Sequence, residues 1–235
     1  GVRVLADNTW ASALCCNPLD LGADIVMEAL SKHAGGHADV LLGALVTRNE
    51  ALFRRMKDVS RLMGLGVSAD DASLVLRGLQ TMPLRIEREG ASALTLAHWL
   101  IARPEIARVL HPAMQGDPGH QLWKRDFRGS SGLFSIELAP PYQEYTSAFV
   151  DALRIFRIGA SWGSTHSIVT PQVPFNTIGG PASIPRKLIR FSIGLEPVED
   201  LQADIEAALA VLSASTTHSV RKHVVDQREL QKEER

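Results

Sequence analysis

Short apolar runs that stop abruptly at polar residues alternate along this chain with stretches whose apolar residues recur at helical spacing, a pattern that restricts the fold to the α/β class. Val2 to Ala6 is such a run, read as a short buried strand ending at Asp7-Asn8-Thr9. Further strands are expected over Asp24 to Ala29 and Val40 to Val46, on either side of the polar stretch Ser31-Lys32-His33-Ala34-Gly35-Gly36-His37. Lys32 therefore falls in a loop between strands. Open α/β sheets bind ligands at the carboxyl ends of their strands, which makes Asp7 and Lys32 the first candidates for chemistry.

Leu52, Phe53, Met56 and Val59 recur at helical spacing between Asn49 and Leu62, and the pattern returns from Asp70 to Leu79 after Gly64-Leu65-Gly66. Both stretches read as packing helices. A longer helix is expected from about Leu84 to Ala102, stopped by Pro104. The domain boundary is placed near its start, with residues 1–80 the remainder of a larger domain and 81–214 a smaller α/β domain. The second part reads as strand Ala107 to Leu110, a Gly/Pro-rich turn through Gly119, strand Gly132 to Leu138, helix Gln143 to Leu153 and strand Leu188 to Ile193. A final helix opens at Pro197 and carries Val198, Leu201, Ile205, Leu209 and Leu212 on one face. Residues 215–235 mix charges of both signs with little apolar content and are expected to be a disordered tail.

A hydrophobic content of 45% over 235 residues is enough for a sizeable core. The 25 basic and 26 acidic residues leave a net charge of −1 with no basic block, which argues against a nucleic-acid partner. The two cysteines, Cys15 and Cys16, are neighbours that cannot staple a fold, so a reducing, cytoplasmic setting is expected. The longest apolar run, Val40 to Val46, is far short of the roughly 20 residues of a membrane span, and the protein reads as soluble. Because the chain opens in a strand-like run without an initiating Met, it is expected to begin within a longer protein. His33 and His37 lie four apart but no third ligand accompanies them, so no metal is expected.

Read alone, Lys32 is an ordinary loop lysine and Asp7 an ordinary turn or cap residue. Together they match the two groups that pyridoxal 5′-phosphate (PLP) requires above all: an amine to hold its aldehyde as an imine, and a carboxylate to keep its pyridine nitrogen protonated. The runs Ala6-Asp7-Asn8-Thr9-Trp10, Ser31-Lys32 with Gly36-His37-Ala38-Asp39, and Leu188-Ile189-Arg190-Phe191-Ser192-Ile193-Gly194-Leu195-Glu196 follow in order at sensible spacings. On these motifs, and up to about Leu212, the chain resembles the cystathionine-metabolising family of fold type I PLP enzymes. The run from Gly119 to Ser135 and Ser161-Trp162-Gly163 are most similar to its β-lyase branch.

The resemblance implies the C-terminal part of a transferase-like large domain, mainly of parallel sheet, followed by a smaller α/β domain. It implies Lys32 as the cofactor-bearing lysine, Asp7 as the partner of the pyridine nitrogen and Ser31 as a phosphate donor. Arg190 would grip the substrate carboxylate, a task suited to its planar fork, while Ser161 and Trp162 would line the substrate pocket. Two positions depart from the family pattern: Ala29 stands where Ser or Thr is frequent, and His33 where an aromatic commonly follows the lysine. Full-length members carry an N-terminal half that stacks on the ring, cradles most of the phosphate and reaches a neighbouring subunit of a tetramer. This chain alone is accordingly expected to bind PLP poorly. The implied activity is β-elimination on cystathionine or a related amino acid, releasing homocysteine, pyruvate and ammonia; γ-elimination, γ-replacement and a non-catalytic fragment acting by association are the rivals.

Overall fold

The computed structural model describes residues 1–171 and 188–213. The expected tail at 215–235 lies outside the described residues. In chain order the elements are β1 (Leu5–Asp7), α1 (Ser12–Cys15), β2 (Ile25–Ala29), β3 (Gly43–Val46), α2 (Glu50–Leu62) and α3 (Ala69–Leu100). There follow β4 (Ile106–Leu110), α4 (His120–Asp126), β5 (Leu133–Leu138), a 3-10 turn (Pro140–Tyr145), α5 (Thr146–Ala152), β6 (Arg157–Ile158), β7 (Ile168–Pro171) and β8 (Leu188–Ser192). A last helix, α6, spans 198–213.

The strands form two sheets, one in the order β1-β2-β3 and one in the order β4-β5-β8-β7-β6. β1 and β2 pair in parallel, with Asp7 opposite Met27, whereas β3 runs antiparallel to β2. The parallel pair puts the ends of β1 and β2 at one edge, where the sequence places Asp7 and the Lys32 loop. The expected strand over Val40 to Val46 begins only at Gly43, because the segment before it is drawn to Ser31: Ser31 N–H donates to Leu42 O and Leu42 N–H to Ser31 Oγ.

The two helices expected at Asp70 to Leu79 and Leu84 to Ala102 are a single helix, α3, with Pro83 inside it. Proline there removes one backbone hydrogen bond. The flanking turns are nevertheless held by burial: Val75, Met82 and Ile86 pack with Ala11, Cys15 and Ala34 in one small core. The C-terminal turns of α3 bury Ala93, Leu96 and Leu100 in the main core against Phe134, Ile136, Phe191, Leu201, Ile205 and Leu209. The expected division near residue 80 thus falls inside α3, a helix that packs on both clusters. α2, expected to be a packing helix, has no buried residue, and Phe53 and Val59 stay exposed.

The expected helix from Gln143 opens instead as the 3-10 turn, with α5 starting at Thr146. β6 and β7 are not among the expected strands: β6 is two residues long, and the β-branched Ile168-Val169-Thr170 of β7 is too short a run to show a period. Among the described residues no helix is long and apolar enough to cross a membrane.

Candidate functional site

β8 is the central strand of the second sheet. Ile189 and Phe191 are fully buried in the main core, so Arg190 and Ser192 project from the opposite face. Arg190 stands opposite Ser135 of β5 and Thr170 of β7. Its Nη2 donates to Ala160 O at 2.8 Å, Ser161 O at 3.1 Å and Thr170 Oγ1 at 3.2 Å. These bonds tie the loop before Trp162 to the strand, and Ser192 Oγ adds another by accepting from Gly163 N–H at 3.2 Å.

That loop meets Lys32. Lys32 Nζ donates to Ser161 Oγ at 2.7 Å and lies 5.2 Å from the centre of the Trp162 ring, within cation–π range. The approach is close enough to demand glycine at 163: its φ is +81°, and a Cβ there would lie 3.2 Å from Lys32 Cβ and from His33 N. Burial lowers the Lys32 pKa from its ordinary value, and the nearby Arg190 charge pushes it the same way.

The backbone carrying Lys32 is a compact turn. Lys32 N–H donates to Ala29 O, Gly35 N–H to Leu30 O and Gly36 N–H to Lys32 O. α3 clamps this turn from below, its buried Arg85 donating through Nη2 to His33 O at 2.8 Å and to Gly78 O at 2.9 Å. Gly36 has φ +74° and admits the guanidinium, since a Cβ there would sit 2.1 Å from Arg85 Nη1.

Asp7 ends β1 exposed, its Oδ1 accepting from both Thr9 N–H at 2.9 Å and Thr9 Oγ1 at 2.5 Å. Thr9 Oγ1 in turn accepts from Ala29 N–H at 2.9 Å. A single threonine therefore couples the Asp7 carboxylate to the last residue of β2, three positions before Lys32. Ser31 is placed differently from a free donor: its hydroxyl donates to Leu42 O at 3.2 Å while accepting from Leu42 N–H.

The structure thus brings Lys32, Ser161, Trp162 and Arg190 into one cluster. It sets Asp7 at the same sheet edge and turns Ser31 toward β3. Sequence reading missed Arg85, Glu89 and the role of Thr9. Arg85 and Glu89 had a signal, since both fall in the otherwise apolar stripe of α3 between Met82 and Ala93. His37 is exposed and bonded through Nδ1 to Gly35 O, and no group of three metal-binding side chains occurs among the described residues.

An exposed carboxylate and a half-buried amine of lowered pKa at one sheet edge fit the demands of a bound PLP, with the arginine cluster alongside for an acidic group of the substrate. Residues 1–210 match the family described as Cys/Met metabolism PLP-dependent enzyme. The chain is 43% identical to a cystathionine beta-lyase of Bordetella avium, over 86% of this chain and 52% of that protein. It is 37% identical to an L-alanine/L-glutamate racemase of Wolbachia pipientis wMel, over 94% of this chain and 55% of that protein. The fold is similar to that of cystathionine gamma synthase from Xanthomonas oryzae pv. oryzae, solved in complex with cystathionine, with a TM-score of 0.85, 33% identity and coverage of 91% of this chain and 57% of that one. The chain spans about half the length of the curated relatives it matches.

Proposed function

Because the chain belongs to the Cys/Met metabolism family of PLP-dependent enzymes, we propose that it carries the cofactor-bearing lysine and substrate-binding arginine of a carbon–sulfur lyase. The reaction is β-elimination on cystathionine or a related S-substituted cysteine. The observation that carries this reading is the single cluster of Lys32 Nζ, Ser161 Oγ, the Trp162 ring and an Arg190 guanidinium anchored on the Ala160 and Ser161 carbonyls.

PLP, when bound, withdraws electrons from the α-carbon of the amino acid attached to it. Lys32 holds the cofactor through its ε-amine, and Asp7 keeps the pyridine nitrogen protonated. Arg190 binds the substrate carboxylate with its planar fork and so fixes which α-substituent faces Lys32. With the cofactor and substrate bound, Lys32 Nζ would be the group placed to take the α-proton. Burial and the Arg190 charge favour the neutral amine that this step needs. The same Nζ then returns a proton to the departing sulfur. The net change consumes cystathionine and water and releases homocysteine, pyruvate and ammonia. Trp162 roofs the amine and limits the access of water. In the complete protein a homotetramer is proposed.

The second reading is γ-elimination or γ-replacement, favoured by the similarity to a γ-synthase fold; the racemase relative shares the α-proton step with all of these. The test adds PLP to the native polypeptide and to Lys32→Ala, records the visible spectrum, reduces with borohydride, maps the adduct and analyses products. A visible band lost in the variant, an adduct on Lys32 and pyruvate from cystathionine are the expected results. 2-Oxobutyrate or a new thioether would move the activity to the γ-reactions. An unchanged band in Lys32→Ala would remove Lys32 from the site. No band in either protein would mean that cofactor binding requires the half of the relatives' length that this chain does not span, or that the chain acts only by association.

A further inference from the structure

Beneath Lys32 lies a buried polar cluster that the chemistry above does not use. Glu89 of α3 is fully buried, and neither carboxyl oxygen has a hydrogen-bond partner among the described residues. It sits in the apolar stripe of α3, where the 130–132 segment presses on the helix: a Cβ on Gly132 would lie 2.9 Å from Glu89 Cβ, and one on Gly90 would lie 2.3 Å from Ser130 O. The carboxyl therefore has no route outward. The group it faces is the His33 imidazole, whose Nδ1 is 3.7 Å from Glu89 Oε2. His33 is 3% exposed, and its ring nitrogens make no well-formed hydrogen bond with a described residue, although the Trp10 backbone is near enough to favour the protonated ring.

Leaving so many buried polar atoms unpaired costs several kcal/mol, so the pair has to satisfy itself. Three protonation states compete. An ionised Glu89 beside neutral His33 is a buried anion with a single imidazole N–H to set against a desolvation penalty of several kcal/mol. An ion pair places two charges in an apolar interior, where each carries a desolvation penalty of several kcal/mol. Burial is the largest influence on both groups and favours their uncharged forms; Arg85 of the same helix disfavours an imidazolium but favours the Glu89 carboxylate, which Glu196, beyond β8, disfavours. Arg85 comes within 4.0 Å of no carboxylate among the described residues: its Nη2 donates to His33 O and to Gly78 O of its own helix, its Nε donates to Thr81 Oγ1, and its Nη1 is buried without a partner among them. The third state, a protonated carboxyl donating to a neutral imidazole, has no net charge. A shortening by under about 1 Å brings the two groups to normal hydrogen-bond length.

The pair is wired to the site. The His33 ring meets Trp162 edge-on with centroids 5.4 Å apart, its carbonyl is held by Arg85, and its neighbour is Lys32. We propose that Glu89 and His33 form a neutral pair, the protonated carboxyl donating to the imidazole, and that this pair positions Trp162 and the Lys32 backbone for reaction. Neither residue touches substrate; both are positioning residues, and the inference rests on the reading of Lys32 given above.

The test uses infrared difference spectra and kinetics of the native polypeptide, with Glu89→Gln and Glu89→Ala. Wild type minus Glu89→Gln shows a protonated-carboxyl stretch at pH 7, with or without PLP, that fades as the pH passes about 8. The glutamine amide retains a donor and cannot ionise. Glu89→Gln therefore stays within about twofold of wild-type kcat/KM at pH 7 and holds that level at pH 9, where wild type has fallen about tenfold. Glu89→Ala loses about tenfold or more in kcat. Absence of the carboxyl band, or a glutamine variant that follows the wild-type alkaline fall, overturns the pair while leaving Lys32 in place. If Lys32→Ala retains the visible band, the Lys32 reading itself fails and the positioning role falls with it, whatever the infrared shows.

Discussion

Lys32 shares a half-enclosed space with a second cation, and that proximity sets its chemistry. Burial lowers its pKa first, and Arg190 adds to the effect because a second positive charge close by favours loss of the proton from the more acidic cation, the Lys32 ammonium. Replacing Arg190 by Gln removes the repulsion, so the ammonium becomes less costly and the pKa of Lys32 moves up. The pH midpoint for borohydride-trapped PLP labelling of Lys32 should accordingly shift to higher pH in Arg190→Gln, and kcat/KM should fall roughly 100-fold through the lost carboxylate grip. A midpoint that stays or moves down would mean that Arg190 does not face the amine. The Lys32, Arg190 and Ser161-Trp162 positions were legible in the sequence because each sits in a short contiguous motif. The Glu89–His33 contact was not, since its partners come from a loop and a distant helix turn, and only the lone acid in an apolar stripe marked it.

At the level of elements, apolar runs with a sharp polar end located strands, but the buried strand expected over Val2 to Ala6 is the shorter, exposed Leu5–Asp7, and the failures have physical causes. Pro83 reads as a break, yet α3 continues because burial on both sides outweighs one missing backbone bond. β6 and β7 are too short to show a period. A different kind of non-local support comes from α6. Asp204 accepts from Arg154 N–H and Ile155 N–H, both at 2.9 Å, and from Phe156 N–H at 3.3 Å. One buried carboxylate thus holds the turn between α5 and β6, beyond which the chain leads to Ser161. Asp204→Ala would strand these donors and should cost about 2–4 kcal/mol in urea unfolding. Asp204→Asn, which keeps one acceptor, should cost roughly half as much. A loss below about 0.5 kcal/mol for the alanine variant would show that the turn closes without the carboxylate.

Among the described residues, His33, His111 and Glu89 are buried titratable groups with large shifts that act on stability in opposite directions, and together they bear on where the protein is most stable. Burial lowers His33 and His111 from 6.5 to about 4, so between those values the unfolded chain binds more protons than the folded one and stability rises with pH. Burial raises Glu89 from 4.5 to about 8, so across that window the folded chain holds the extra proton and stability falls as pH rises. Where the windows overlap, from about pH 4.5 to 6.5, the two histidines outweigh Glu89 and stability climbs by up to about 1.4 kcal/mol per pH unit, reduced by Glu28, whose pKa burial also raises. From about pH 6.5 to 8 only Glu89 acts, and the slope reverses with similar size. These groups therefore place a maximum near pH 6.5, to be measured by urea denaturation of the native polypeptide from pH 5 to 9. In Glu89→Gln the alkaline decline should vanish while the acid limb steepens, because the opposing acid is gone and both histidines remain. A wild-type profile that keeps rising to pH 8 would mean that Glu89 is ionised in the folded protein, and the neutral pair with His33 could not stand.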